Sequence, residues 1–152
     1  MQRRSFVMAL GAAALLLASC TPKAAPEITV ENGVFRLPAP GQTTGAVYFD
    51  IINKGGADVL VSASTPAGAR TELHTHIHKN NIMKMRQVDS VDVPANTTTS
   101  FKRGGLHVMV FEVNVAAHQK SAPLILNFAK SDVVVISAQI DDGMPIKMDQ
   151  GN

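Results

Sequence analysis

The sequence predicts an all-β domain, folded as an antiparallel sandwich or barrel, and three observations lead to this expectation. Short runs rich in β-branched and other apolar residues recur from Ile28 onward. Clusters of glycine, proline and asparagine separate these runs. No stretch keeps the 3.6-residue apolar period of an amphipathic helix. We find no internal repeat and no second domain in the pattern.

The predicted strands follow one another at short intervals, and each is a run of 3 to 8 residues. They are Ile28–Val30, Val34–Leu37, Gly45–Ile52, Val59–Ser64, Thr71–His78, Thr98–Phe101, Leu106–Val113, Leu124–Phe128 and Val133–Ile140. Turns are predicted where proline, glycine and asparagine cluster, namely at Pro38–Gly41, Asn53–Gly56, Pro66–Gly68, Pro94–Asn96 and Arg103–Gly105.

The first residues have the features of an export signal that is removed. Arg3 and Arg4 precede a short apolar run, Ala9–Leu17, which is too short to span a bilayer. The run Leu17–Cys20 resembles a bacterial lipobox, which implies cleavage before Cys20 and acylation of its sulfur and amine. An ordinary signal with a chance cysteine is the alternative. We expect a lipoprotein signal peptide at 1–19, a lipidated tether at 20–27, a β-domain at 28–140 and a flexible tail at 141–152.

The predicted location is extracytoplasmic, with a lipid anchor in a membrane. Two or three acyl chains hold a protein on a bilayer durably. The sequence leaves the choice of membrane open, because Thr21 favours sorting to an outer membrane only by a soft rule. The export route is also open, since Arg3 and Arg4 fit either a twin-arginine signal or a simple positive start.

Composition excludes several classes of function. The chain has 14 Lys and Arg against 12 Asp and Glu. Arg3 and Arg4 account for that excess, so the rest of the chain has no net charge. It lacks the cluster of basic residues that a nucleic-acid-binding surface needs. Cys20 is the only cysteine, so the domain has no disulfide and no thiolate metal site. We find no cysteine nucleophile in the domain, no carboxylate pair or Ser/His/Asp spacing above background and no phosphate-binding loop, and we predict that the protein is not an enzyme.

Histidine and methionine are concentrated in one part of the chain. All five histidines lie between His74 and His118, and Met83, Met85 and Met109 lie in the same stretch. The two-residue period of a strand places His74, His76 and His78 on one face, opposite Leu73 and Ile77. It likewise places His107 and Met109 opposite Leu106, Val108 and Val110. Methionine on the histidine face is on the wrong side to fill a core.

Imidazole together with thioether indicates one metal in particular. Zinc and iron prefer histidine with carboxylate or thiolate, and hard cations prefer oxygen. A neutral, soft thioether suits Cu(I), and methionine forms no disulfide outside the cytoplasm. A blue-copper electron-transfer site would need a cysteine ligand.

The spacing of these residues is that of a known motif. His74, ten residues, Met85, twenty-one residues, His107, one residue and Met109 resemble the motif of the PCu(A)C-type periplasmic copper chaperones. The resemblance extends over about residues 45–140. It implies a cupredoxin-like Greek-key β-sandwich or barrel and a Cu(I) carrier with ligands His74, Met85, His107 and Met109. It further implies delivery toward the dinuclear copper centre of cytochrome c oxidase.

The chain departs from the motif after the first histidine. Members often have methionine two residues after it, where this chain has His76, followed by His78. These could admit Cu(II) or form a weaker imidazole site, or they could belong to a solvated face. Met83 would shield the ion from water or add a fifth ligand. Glu72 would orient an imidazole or remain solvated, His118 is predicted to be plain surface, and Met144 and Met148 could pass copper along.

Three functions remain from the sequence. The first is a monomeric chaperone that hands Cu(I) to an acceptor, such as an oxidase subunit or another copper carrier. The second is a copper-buffering or tolerance lipoprotein without a dedicated acceptor. The third is a structural or adhesive lipoprotein with a vestigial metal site. A short tether on an outer membrane could hardly reach an oxidase in the inner membrane. Copper delivery to an oxidase would therefore require either an anchor in the oxidase's own membrane or soluble partners that relay the metal.

Overall fold

The regular structure is entirely β-strand in the residues that the computed structural model describes, which are 24–79, 82–113 and 119–141. The ten strands are β1 (Ile28–Arg36), β2 (Gly45–Asn53), β3 (Asp58–Ser64), β4 (Thr71–Lys79), β5 (Ile82–Val88), β6 (Val91–Val93), β7 (Thr97–Phe101), β8 (His107–Val110), β9 (Ser121–Phe128) and β10 (Val134–Asp141). Within these ranges no helix is long and apolar enough to cross a membrane.

The strands form one hydrogen-bonded path that folds over into an open β-sandwich. The path runs β5-β4-β8-β2-β1-β10-β9-β3-β6. Strand β7 lies off this path and pairs with the second half of β2, whereas β8 pairs with the first half. Every pairing is antiparallel except that of β1 with β10. The hydroxyl of Thr71 on β4 donates to the carbonyl of Ala63 on β3, which links the two layers. The predicted all-β sandwich is confirmed.

The core forms because each strand places alternate side chains between the layers. Buried and half-buried positions alternate along β2, where Phe49 and Ile51 are fully buried. Phe49 stacks on Phe101 of the neighbouring β7 at a centroid distance of 4.4 Å. Leu60 and Leu126 from the opposite layer complete the same core. This packing fixes which face of each strand remains for function.

Most predicted strands are confirmed, with several differences, one of which is that β9 begins at Ser121 and not at Leu124. Segments 28–30 and 34–37 form one strand, β1, interrupted by a bulge at Asn32, whose φ is +56°. β8 is shorter than predicted. Strand β5 was missed because every residue before Val88 is exposed and the strand lacks apolar alternation, and β6 was missed because it has only three residues. Asp141, predicted as the start of a tail, is the last residue of β10.

The last residues of the predicted tether are part of the domain. The Gly56 amide donates to the Ala25 carbonyl at 2.8 Å, and the Lys54 amide donates to Glu27 at 2.9 Å. Buried Asn53 accepts from the Glu27 amide at 3.2 Å. A Cβ added at Gly56 would lie 1.8 Å from the Ala24 carbonyl oxygen, so this close approach requires glycine. The chain from Ala24 onward is therefore docked on the turn between β2 and β3.

A buried carboxylate ties the start of β3 to the turn after β9. Asp58 is 3% exposed and accepts hydrogen bonds from the amides of Val59, Lys130 and Ser131 at 2.8, 3.0 and 2.9 Å. The Ser131 hydroxyl donates to it as well. Burial alone would raise the pKa of Asp58, but these donors outweigh burial and hold that pKa below its ordinary value.

We expect Asp58→Ala to destabilise the domain by about 3 kcal/mol, because several donors lose a charged acceptor. Because the pKa of Asp58 is lower in the folded protein than in the unfolded chain, its ionised carboxylate stabilises the wild type at pH values above the ordinary carboxyl pKa. This stabilisation is lost as the pH falls through the lower pKa of folded Asp58. Urea unfolding of both chains at several pH values measures it. Exposed Asp132 provides the control, Asp132→Ala, for which less than about 0.5 kcal/mol is expected. Equal stability of the two variants would contradict the role of Asp58.

Candidate metal centre

The predicted donors lie on three strands that are neighbours in the sheet. β4 is paired with β5 on one side and with β8 on the other. The register places His74 opposite His107, His76 opposite Met85, and His78 opposite Met83. Directly opposite residues project to the same face of a sheet. Pairing thus brings together donors that are up to 33 residues apart in the chain.

The face assignment made from the sequence agrees with burial at Leu73, Val108 and Val110, but Ile77 of the apolar face is 42% exposed and His107 of the donor face is 3% exposed. Leu73 and Val108 point into the core and are 4% and 0% exposed. Met109 lies opposite Glu72 on β4 and Ala46 on β2, and it is half-buried on the same face as His107. The outer face of β5, β4 and β8 therefore carries imidazole and thioether groups side by side.

His107 is held in one orientation by the glycine turn that precedes it. Its Nδ1–H donates to the carbonyl oxygen of Gly105 at 3.0 Å. A carbonyl only accepts, so Nδ1 carries the proton and a neutral ring leaves Nε2 as a lone-pair donor. That Nε2 lies 3.0 Å from the sulfur of Met85. In the neutral ring, the lone pair of His107 Nε2 therefore faces the lone pairs of Met85 Sδ, and a cation between the two atoms would stabilise this contact.

The surroundings keep His107 neutral. Burial lowers its pKa from the ordinary value of 6.5, since His107 is only 3% exposed. The hydrogen bond to Gly105 opposes this effect, and the neighbouring imidazoles of His76 and His74 add to the lowering. A neutral imidazole is the form that binds a metal ion.

His74 is oriented from its other side by a carboxylate. Its Nε2–H donates to Glu72 at 2.8 Å, and the Arg70 guanidinium forms an ion pair with the same carboxylate. Arg70 in turn lies over the ring of Phe111, 3.6 Å from its centroid. Nδ1 of His74 is buried and has no hydrogen-bond partner among the described residues. Glu72 has the orienting contact suggested as one alternative from the sequence.

Two neighbours of the site were not identified from the sequence. The Gly105 carbonyl accepts from His107 and also from Nδ1–H of His76 at 3.3 Å. Tyr48 on β2 has its ring centroid 6.3 Å from that of His107. A glycine pair beside a histidine is a weak signal for such a carbonyl, and nothing in the sequence marks Tyr48, which the pairing of β2 with β8 brings near.

The remaining candidates are placed less completely. Met83 lies two residues before Met85 on β5, opposite His78, and is 53% exposed. Cys20, His118, Met144 and Met148 lie outside the described residues, as does the side chain of His78. Considering only His, Cys, Asp and Glu in the described ranges, no group of three or more is arranged to hold a metal ion. A cavity of about 530 Å³ beside Thr65–Ala69 contains none of the predicted donors.

Comparison with known proteins places the chain in a family. A family model described as "LpqE-like: Putative lipoprotein LpqE-like" matches residues 28–140. The chain belongs to this LpqE-like family. "Putative lipoprotein Lxx21020" of Leifsonia xyli subsp. xyli (strain CTCB07) is 28% identical over 108 residues, which are 68% of this chain. The chain covers 64% of the length of that relative.

Solved structures share the fold of this LpqE-like protein. The copper-bound PCuAC domain from PmoF2 matches with a TM-score of 0.62 and 20% identity, over 76% of this chain and 92% of that domain. The apo PCuAC domain from PmoF1 matches with a TM-score of 0.63 and 24% identity, over 76% and 93%. The cupredoxin-like fold implied by the motif is confirmed, whereas the ligand set stays a prediction.

In the metal-free protein, we expect His107 to be the Nδ1–H tautomer and to gain its second proton only below the ordinary imidazole pKa. Proton–nitrogen NMR of the histidine rings across pH 4.5 to 8 would measure both properties, with the urea-unfolded chain as the reference. An Nε2–H tautomer, or a pKa of His107 above that of the unfolded chain, would contradict the geometry described above.

Proposed function

We propose that this LpqE-like protein is a lipid-anchored, extracytoplasmic copper chaperone. It binds one Cu(I) ion as cargo through His74, Met85, His107 and Met109, and it is not an enzyme. It releases the ion to an acceptor in the membrane, for which a subunit of cytochrome c oxidase is the candidate. The contact between His107 Nε2 and Met85 Sδ is the observation that carries the proposal.

That contact fits two ligands of one ion. With the bond lengths of zinc sites as a guide, about 2.0–2.1 Å to nitrogen and 2.3 Å to sulfur, the two ligand atoms would lie about 3.5 Å apart at a tetrahedral angle. At a right angle the same bonds give about 3.0 Å, the separation observed here. A small opening of the pair would therefore admit an ion between them.

The other two donors complete a neutral set. His74 would bind the ion through Nδ1, while its Nε2–H donates a hydrogen bond to Glu72. A carboxylate that accepts a hydrogen bond from a metal-binding imidazole fixes the orientation of the ring. Met109 follows His107 by two residues on the same face. Two imidazoles and two thioethers add no charge and release few protons on binding. Soft thioethers favour Cu(I) over harder cations.

The position of the site suits release. β5 is the edge strand of the sheet, and Met85 is 47% exposed. An acceptor can approach this side and displace the Met85 thioether before the more deeply placed His107. Stepwise exchange of ligands avoids a free copper ion, so the exposed thioether is the natural first point of transfer.

The anchor places the site near its membrane. If Cys20 is acylated, at most about 14 Å of extended chain separates it from docked Ala24. Ala24–Glu27 binds at the end of β2, and β4 runs in the same direction as β2 because both are antiparallel to β8. The β4–β5 hairpin therefore points toward the anchored end, which supports an acceptor in the same membrane.

We expect Met85→Leu, Met109→Leu and His107→Gln each to weaken Cu(I) binding on the order of 100-fold, since even outer contacts of a metal ligand are typically worth 10- to 100-fold. Competition with a chromophoric Cu(I) chelator measures this. Met83→Leu is the matched control on the same strand and face, with a change below about twofold. Unchanged affinity in the Met109 and His107 variants would refute the assignment.

A deletion strain separates delivery from buffering, which the additional histidines His76 and His78 also fit. Delivery predicts loss of oxidase activity at low external copper, with rescue by added copper. Copper sensitivity with normal respiration would instead support the buffering lipoprotein. Copper analysis of the protein isolated from its native membrane, showing no copper, would support a structural role.

A further inference from the structure

The β4–β5 hairpin extends beyond the part of the sandwich that covers the rest of β4. Strand β8 pairs with β4 from Thr71 to His74, whereas β5 continues along β4 as far as Lys79. Ile77 has the parity of buried Leu73 on β4, yet it is 42% exposed. The core therefore ends before Ile77, and the outer half of the hairpin is open to solvent on both faces.

One face of this outer half combines exposed apolar and basic side chains. Lys84 on β5 lies directly opposite Ile77, and Ile82 and Arg86 have the same parity as Lys84. Residues directly opposite each other project to the same face of a sheet. Ile82 is 56% exposed, and Lys84 and Arg86 are exposed as well. We call the surface formed by Ile77, Ile82, Lys84 and Arg86 the basic hairpin face.

The composition of the hairpin suits an anionic lipid surface. From residue 73 to residue 88 the sequence contains three basic residues and no Asp or Glu. Exposed apolar side chains beside cations are typical of surfaces that bind a membrane interface, where the apolar groups enter the boundary between headgroups and acyl chains. Each Lys or Arg near an anionic membrane strengthens such binding about fivefold.

The hairpin ends level with the docked segment that leads to Cys20. Leu73 on β4 and Val47 on β2 lie in one row across the sheet, and both strands end six residues beyond that row. The segment Ala24–Glu27 docks just after the end of β2. One strand lies between β2 and β4, a separation of about 10 Å. Acyl chains on Cys20 would therefore hold the end of the hairpin at the bilayer.

We propose that the basic hairpin face binds the surface of an anionic bilayer as a second membrane contact. The proposal rests on the lipid anchor of the proposed function and adds lipid headgroups as a partner. Two isoleucines and two cations would hold the protein only weakly by themselves. The acyl chains make this contact intramolecular, so a weak attraction is enough to fix the orientation of the domain.

A lipid surface fits this face better than a protein partner does, because the short chain to Cys20 brings the bilayer to this end of the domain. Contact through the basic hairpin face also leaves the opposite face of the hairpin, with exposed Met83 and Met85, turned away from lipid. The two faces of one hairpin would then have separate partners, headgroups on one side and the copper acceptor on the other.

The test places a tryptophan in the hairpin, because the protein contains none. The acylated protein with the substitution Ile82→Trp is purified from its own membrane and reconstituted into phosphatidylcholine vesicles with or without about one-third phosphatidylglycerol. Quenching of its fluorescence by brominated lipids measures contact with the acyl region. Ala67→Trp is the matched control, because Ala67 is exposed in the β3–β4 turn at the opposite end of the sandwich.

We expect lipid quenching in Ile82→Trp and none in Ala67→Trp, with stronger quenching when phosphatidylglycerol is present and weaker quenching as salt is raised. Adding Lys84→Gln or Arg86→Gln to the Ile82→Trp variant should each lower the ratio of bound to free hairpin about fivefold. Lys120→Gln, which removes an exposed charge at the opposite end, should leave that ratio unchanged.

Equal quenching in Ile82→Trp and Ala67→Trp would overturn the inference and leave the basic hairpin face to a protein partner. Quenching that is insensitive to lipid charge and salt would overturn it as well. The Cu(I) affinity of the same variants is measured in parallel and should not change, because none of the substituted residues is a predicted ligand. Failure of the unsubstituted protein to bind Cu(I) would count against the proposed chaperone alone, whereas absence of an acyl group at Cys20 by mass spectrometry would remove the anchor and this contact together.

Discussion

The proposed metal centre depends on one hydrogen bond, from Nδ1–H of His107 to the carbonyl of Gly105. That bond fixes the tautomer and aims the lone pair of Nε2 at the sulfur of Met85. Burial keeps the ring neutral, so the two donors face each other without a proton between them. Because the carbonyl belongs to a tight turn, the backbone between β7 and β8 sets the direction of the His107 ring and so the direction from which the proposed site would bind an ion.

The sheet supplies the second constraint, which is register. A shift of β4 by one residue would send His74, His76 and Glu72 into the core and Leu73 onto the surface. Leu73 and Val108 are buried on the opposite face, so hydrophobic packing itself keeps the donors together on the other face of the sheet. The stability of the core and the alignment of the donors therefore have the same physical origin.

The docked segment Ala24–Glu27 gives the domain an orientation as well as an attachment. Its bonds to the β2–β3 turn leave little free chain between Cys20 and the sandwich. The exposed edge strand β5 carries the most accessible donor, and its hairpin points to the same end of the molecule. If Cys20 is acylated and the protein is the proposed carrier, this arrangement would bring its ion close to the bilayer, which would ease the conflict between a short tether and a membrane-bound acceptor.

The sequence alone determined the all-β class, most strand positions, and the faces of β4 and β8, because a two-residue period and turn residues are local properties. It did not reveal β5, whose exposed residues show no alternation, or the docking of Ala24–Glu27, which depends on Asn53 and Gly56. Only the tertiary structure decided that His76 shares the Gly105 carbonyl with His107 and that Tyr48 lies beside them. Those contacts join strands distant in the chain, and their geometry follows from pairing and packing that no local pattern encodes.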